Sequence, residues 1–215
     1  IQKTTFKYEI PYMLLITAVL LVMGMTGNEI TFIEGVILWI LFIAYLLYLY
    51  ILAKKGNDSG EEQSVKLYPV WKCLLFIVLG GVCVVIGSQL VVNGATTIAR
   101  ACGMSERFIG LTIVAFGTSL PELVTSVSAA RKGNAGIAIG NIVGSNIFNI
   151  LFVIGTVALI CPVPFESRFV VDTVVAILCG VLLWGGTIRH KELRKPCGVV
   201  MLLCYAAYFV YLAAM

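Results

Sequence analysis

Charge is scarce in this sequence: only 12% of its 215 residues are Asp, Glu, Lys or Arg. So little charge excludes an ordinary water-soluble domain of this length. Histidine is scarcer still. His190 is the only one, and it stands in a basic stretch between two apolar segments. No buried histidine is therefore on hand for a metal centre or for base catalysis. The seven cysteines (Cys73, Cys83, Cys102, Cys161, Cys179, Cys197 and Cys204) are scattered, with no C-x-x-C pair. They read as small apolar residues rather than ligands or disulfide partners.

Sequence patterns for catalysis are missing too. H-E-x-x-H, Rossmann and phosphate-loop signatures are absent. Gly117-Thr118-Ser119-Leu120-Pro121 superficially resembles a G-x-S-x-G nucleophile turn, but Pro replaces the final Gly and no base is available. An enzyme is not expected. No internal repeat or low-complexity tract appears, and no basic-apolar-cleavage pattern opens the chain. Residue 1 is Ile, so the expectation is a part of a longer polypeptide.

What the sequence has in abundance is apolar length. It is 60% hydrophobic, with a mean hydropathy of +1.01, and this places it among all-α polytopic membrane proteins. At roughly 20 residues per crossing, seven spans are predicted: Tyr8 to Met25, Thr31 to Ala53, Val70 to Ala99, Phe108 to Arg131, Ala135 to Ile160, Phe169 to Ile188 and Cys197 to Met215. The first is the shortest and reads as an edge helix or a remnant. A single polar linker, Lys54 to Tyr68, divides residues 1–53 from 70–215, with residues 54–69 between the apolar blocks. The third span turns polar over Gly87 to Ala95. Two outcomes are open for it: a long tilted or mobile helix facing protein or water, or a helix that ends near Val92 and continues along the surface.

The net charge of +4 is explained by membrane orientation, and no nucleic-acid partner is expected. Seven crossings put Lys3, Lys7, Lys54, Lys55, Lys66, Lys72, Arg131, Lys132, Arg189, Lys191, Arg194 and Lys195 on one side, and only Arg100, Arg107 and Arg168 on the other. Lysine and arginine concentrate in cytoplasmic loops. The amino end is therefore predicted inside and the carboxyl end outside.

Two polar strings interrupt the apolar sequence: Gly117-Thr118-Ser119-Leu120-Pro121-Glu122 and Gly140-Asn141-Ile142-Val143-Gly144-Ser145-Asn146-Ile147-Phe148-Asn149. Both fall near mid-span, where polar groups are costly and mark function by default. Pro121 lacks the N–H that would pair with the Gly117 carbonyl, so the helix is expected to break there. The carbonyls of Ala115 and Thr118 lie just before that break. Thr118 and Ser119 share a helical face with Glu122. Such a set of oxygens around one negative charge suits hard cations such as Na⁺ and Ca²⁺. No Lys or Arg stands in a helix core to offset Glu122, so a proton or a bound cation must do so. In the fifth span Asn141, Ser145 and Asn149 form a polar stripe. Gly136, Gly140 and Gly144 form a small-residue stripe beside it, where another helix is expected to approach closely.

The two strings, in this order and spacing, resemble the alpha-repeat of the calcium/cation antiporter superfamily, most of all its prokaryotic members; the match extends from residue 87 to 160. The resemblance implies a ten-helix protein of two inverted halves. The first two spans here would end the first half, and residues 70–215 would form the second. It implies Glu122 as the principal acidic ligand of Ca²⁺ and Na⁺, Thr118 and Ala115 as carbonyl ligands, and Ser119 and Ser145 as hydroxyl ligands. Asn149 stands where some relatives carry a carboxylate. Asn141, Gly117 and Pro121 would support the site, and the third span would be the helix that slides to alternate access.

The first alpha-repeat is missing from these residues. It is expected in the same full-length chain or in a partner chain. The implied function is exchange of Ca²⁺ for Na⁺ (or H⁺) across the bacterial inner membrane, with membrane lipid as surroundings. No cofactor is expected, since the ions are cargo. A non-transporting subunit or truncated product, and Ca²⁺/H⁺ or K⁺-dependent exchange, are the alternatives.

Overall fold

The computed structural model describes residues 4–56, 69–104, 106–188, 193 and 195–214. Most of the predicted linker, and His190 with its neighbours, lie outside the described residues. In a bilayer every backbone N–H and C=O must be satisfied within the protein, and helices do this segment by segment. Among the described residues eight helical elements follow one another: α1 (Thr5–Gly27), α2 (Phe32–Gly56), α3 (Val70–Ala101), α4 (106–118), α5 (Leu120–Arg131), α6 (Ala135–Ile160), α7 (Ser167–Ile188) and α8 (Lys195–Ala214). Six are long and apolar enough to cross a membrane singly, and the end of α4 with α5 makes a seventh, bent by 51°. α2 runs on through Gly56, so the first residues of the predicted linker are helical.

The chain packs as two compact units, one from Ile1–Gly60 and Ala135–Cys204, the other from Glu61–Asn134 and Tyr205–Met215. This division differs from that at the polar linker, because α6 and α7 pack with the first two helices.

In the first unit α1 is no edge. Ile10 and Ile16 are fully buried, with Met13 and Leu20 beside them in the core, because α1 lies against both α6 and α7. It opens with a π-helical turn over Thr5–Glu9. Pro11 accounts for the wider turn, since its ring crowds the carbonyl four residues back and it has no N–H to give. The helix stops at Asn28, whose φ of 56° is left-handed. The short strands β1 (Glu29–Ile30) and β2 (Val163–Pro164) then pair antiparallel, Ile30 opposite Val163, and the Phe165 N–H donates to the Asn28 carbonyl at 2.7 Å. This pins the end of α1 to the α6–α7 connection. At the start of α2, the Thr31 N–H and hydroxyl donate to Glu34 Oε2 at 2.7 and 2.8 Å. The Thr31–Glu34 spacing is that of a capping box.

One close helix approach in this unit joins α2 to the end of α6. A Cβ on Gly35 would stand 2.9 Å from that of Ala158, and one on Gly155 would stand 3.2 Å from that of Leu38. Next to it Trp39 Nε1 donates to Thr156 Oγ1 at 3.2 Å, and Trp39, Phe42, Phe148 and Phe152 pack ring on ring. By contrast, Gly136, Gly140 and Gly144 line an open groove. Within this unit, the close approach expected on that stripe is made at Gly35 and Gly155 instead.

In the second unit α3 is one continuous helix of 32 residues, about 48 Å at 1.5 Å per residue. The alternative of an end near Val92 is thereby overturned. α3 ends in a turn in which Gly103, at φ +77°, supplies the left-handed residue, and the Met104 N–H reaches back to the Ala99 carbonyl at 3.0 Å. Arg100 clasps Glu106 across that turn, Nε to Oε1 at 2.6 Å and Nη2 to Oε2 at 2.9 Å. The hydrogen bond from the guanidinium holds the Glu106 carboxyl below its ordinary range.

Candidate functional site

The first polar string does what its proline predicts. α4 runs as Glu106–Ile109, a π segment over Gly110–Val114, and a last turn, Ala115–Thr118. Ser119 then leaves the helix at φ −93°, ψ 1°, and α5 restarts with Pro121 in its first turn. A continuous helix would carry the Ser119 N–H to the Ala115 carbonyl. It goes to Phe116 instead, at 3.1 Å, so the Ala115 carbonyl loses its helical donor. Pro121 likewise has nothing to give Gly117.

Gly117 is buried, and its lack of a side chain has a plain cause: a Cβ there would collide with Val92 of α3. Glu122 lies in the first turn of α5. The carbonyl end of α4, which faces the start of that helix across the break, favours a cation. Glu122 is half-buried, with Oε2 withdrawn from the surface. It is not isolated, since it interacts within the fold although the sequence offers it no basic neighbour. Thr118 and Ser119 are exposed. Ala115, Thr118, Ser119 and Glu122 thus bracket one break.

Sequence inspection missed what faces this break. Ser88, Gln89 and Asn93 of α3 line a cleft of about 280 Å³ together with Gly117, Thr118 and Pro121. The signal was present: Gln89 and Asn93 are four residues apart, on one helical face.

The second string remains helical. Ile139, Val143, Ile147 and Leu151 recur every fourth residue and are buried in the core of the first unit. Asn141, Ser145 and Asn149 each follow by two residues, about 200° around the helix. The polar stripe therefore lies opposite the buried one. Ser145 Oγ donates to the Ile142 carbonyl at 3.0 Å, which commits its proton and leaves its lone pairs for an electropositive partner. At Asn149 the helix widens into a π segment, Asn149–Ile154, a distortion common at functional positions. Asn141 and Ser145 are half-buried, and Asn149 is exposed.

Among the described residues no three of His, Cys, Asp and Glu come together. A cation at the break would be met by one carboxylate and neutral carbonyl, hydroxyl and amide oxygens. Spanning helices, one of them broken at mid-span beside a carboxylate, define a polytopic membrane transporter. The chain belongs to the sodium/calcium exchanger protein family, whose profile matches residues 72–214.

It is 34% identical to CaxA of Alkalimonas amylolytica, over 97% of this chain and 68% of that protein. To the sodium/calcium exchanger MaX1 of Methanosarcina acetivorans it is 38% identical, over 66% of this chain and 41% of MaX1. The solved sodium/calcium exchanger from Methanococcus jannaschii matches with a TM-score of 0.79 and 31% identity, over 98% of this chain and 65% of that one. The chain thus spans about two thirds or less of the length of these relatives.

Proposed function

We propose that this chain is part of a secondary cation antiporter that exchanges Ca²⁺ for Na⁺ or H⁺. The observation that carries this is the break at Ser119, which takes the Ser119 N–H from the Ala115 carbonyl, opposes two helix ends and puts Glu122 in the first turn after it. Glu122 is the charged ligand for both ions. The Ala115 and Thr118 carbonyls and the Ser119 hydroxyl add neutral oxygens, and Ser145 and Asn149 bind the same cations. Asn141, Gly117 and Pro121 support the arrangement, with Ser88, Gln89 and Asn93 along the approach. Two ions that compete for one set of oxygens, reached from one side at a time, suffice for exchange. No bond is made or broken in the cargo, so no enzymatic step is required.

The protein works in a bacterial inner membrane, with the start of this chain on the cytoplasmic side, as the 12-to-3 division of its 15 basic residues supports. The first alpha-repeat comes from the same full-length chain or from a partner chain. The second reading is a membrane subunit or truncated product that does not transport. Ca²⁺ uptake into proteoliposomes, with a Na⁺ or a pH gradient imposed, tests both. The complete polypeptide is expected to take up Ca²⁺ under one gradient, which names the driving ion, and residues 1–215 alone are expected to give no flux. No uptake by folded complete protein under either gradient would refute antiport.

A further inference from the structure

The second unit holds an apolar groove beside the broken helix. Val91, Val92 and Ala95 of α3, Phe116 of α4, and Tyr205 and Phe209 of α8 line it, and its volume is about 760 Å³. All six belong to that unit. Among the described lining residues Thr112 and Tyr205 alone carry a side-chain oxygen. Thr112 is buried and has its own interaction within the fold, whereas Val91, Phe116 and Tyr205 are exposed. Val92 and Gly117, which stand against each other, line both this groove and the polar cleft. The pair therefore separates an apolar space from a polar one.

The groove's size and depth decide what fits it. It reaches from Met104, just past the end of α3, back to Val91, about 15 Å at 1.5 Å per residue. That is half of the roughly 30 Å hydrocarbon core, the depth of one leaflet. Spread over that length, the volume gives a mean section of about 50 Å², too narrow for another helix, which is about 10 Å across and fills roughly 80 Å². Water does not settle in an apolar cavity, and empty space leaves its lining without contacts. The medium around a spanning helix is acyl chain.

We propose that this groove holds one acyl chain of a phospholipid from the leaflet in which α3 ends. The chain lies lengthwise between α3, α4 and α8, with its tip at mid-span against Val92 and Gly117, on the side away from the polar cleft. Its recognition is by shape and apolar contact, so no head group is selected. The proposal goes beyond the antiport reading and does not depend on it.

Photo-crosslinking tests it. The complete polypeptide is loaded with phosphatidylcholine carrying a diazirine in one acyl chain, washed in detergent to strip loosely held lipid, irradiated, and mapped by mass spectrometry of its peptides. Label at Phe116 and Phe209 is expected to exceed that at Leu75 to Leu79, an exposed apolar stretch of the same α3, by about tenfold. The same excess is expected with phosphatidylglycerol. Ala95→Phe, which fills the groove, should cut label at Phe116 and Phe209 about fivefold and leave Leu75 to Leu79 unchanged. Equal label at both places would show bulk lipid only, and an unlabelled groove would show that protein fills it; either result, or undiminished label in Ala95→Phe, overturns the proposal. Should Ala95→Phe fail to fold, Ala206→Phe on the α8 wall of the groove decides by the same readout.

Discussion

The two polar strings meet the same difficulty, polar groups at mid-span, in opposite ways. The first gives up helical continuity. Ser119 leaves the helix, the chain bends by 51°, and the backbone itself supplies oxygen beside one carboxylate. The second keeps its helix from Ala135 to Ile160 and widens it at Asn149, so its oxygens come from side chains on the face turned away from the core. The difference separates what each string can tolerate. On the proposed reading, the first depends on Pro121 and Glu122 by identity; the second depends on spacing, on Ser145 and Asn149 staying four residues apart.

Substitutions sharpen or break this contrast. Glu122→Gln should have the largest effect: Ca²⁺ uptake by the complete polypeptide falls by about a hundredfold or more, as a charged ligand is replaced by a neutral one. Insertion and thermal unfolding should stay near wild type. Normal uptake in that variant would remove the distinction between the strings. Pro121→Ala restores an N–H for the Gly117 carbonyl and should lower uptake about tenfold, with helical content by circular dichroism unchanged or slightly raised. If uptake is untouched, the break is packing and not function.

On the second string, Ser145→Ala should weaken the apparent affinity for Ca²⁺ several-fold, on the order of one neutral hydrogen-bonding group, and Ser145→Thr should restore it. Asn149→Asp should change ion preference or pH dependence without loss of folding; identical ion and pH profiles would count against Asn149 as a ligand. The smallest effect belongs to neither string. Glu106 has its carboxyl held below the usual range by Arg100, so any stability it adds is present above the ordinary carboxylate pKa and lost as pH falls through the lowered one. The pair is exposed, and surface pairs contribute little. Arg100→Gln should therefore leave the neutral-pH unfolding temperature nearly unchanged, and a drop of many degrees would contradict this.

Much of this was legible in the residues. Pro121 after Gly117, inside an apolar run, announces a broken helix, and the seven spans follow from length alone. The central place of α1 was not legible. Ile10, Met13, Ile16 and Leu20 form its buried stripe, but its other faces are just as apolar, and periodicity carries no signal in a helix that is hydrophobic all round. The π segment at Asn149–Ile154 was equally hidden, because no proline stands in it to mark the widened turn as Pro11 marks the one at Thr5–Glu9. The close contact at Gly35 and Gly155 was overlooked in favour of Gly136, Gly140 and Gly144, whose regular spacing is the stronger pattern. Spacing shows where a helix could approach; only packing shows where one does.

The central claim is that the break at Ser119 holds a cation site shared by Ca²⁺ and its counter-ion. Equilibrium binding of radioactive Ca²⁺ to the purified complete polypeptide, for wild type and Glu122→Gln, tests it most directly. Wild type should bind Ca²⁺ and release it as Na⁺, or protons, are added, and Glu122→Gln of unchanged thermal stability should bind no measurable Ca²⁺. Binding by Glu122→Gln at wild-type affinity would place the site elsewhere and contradict the account.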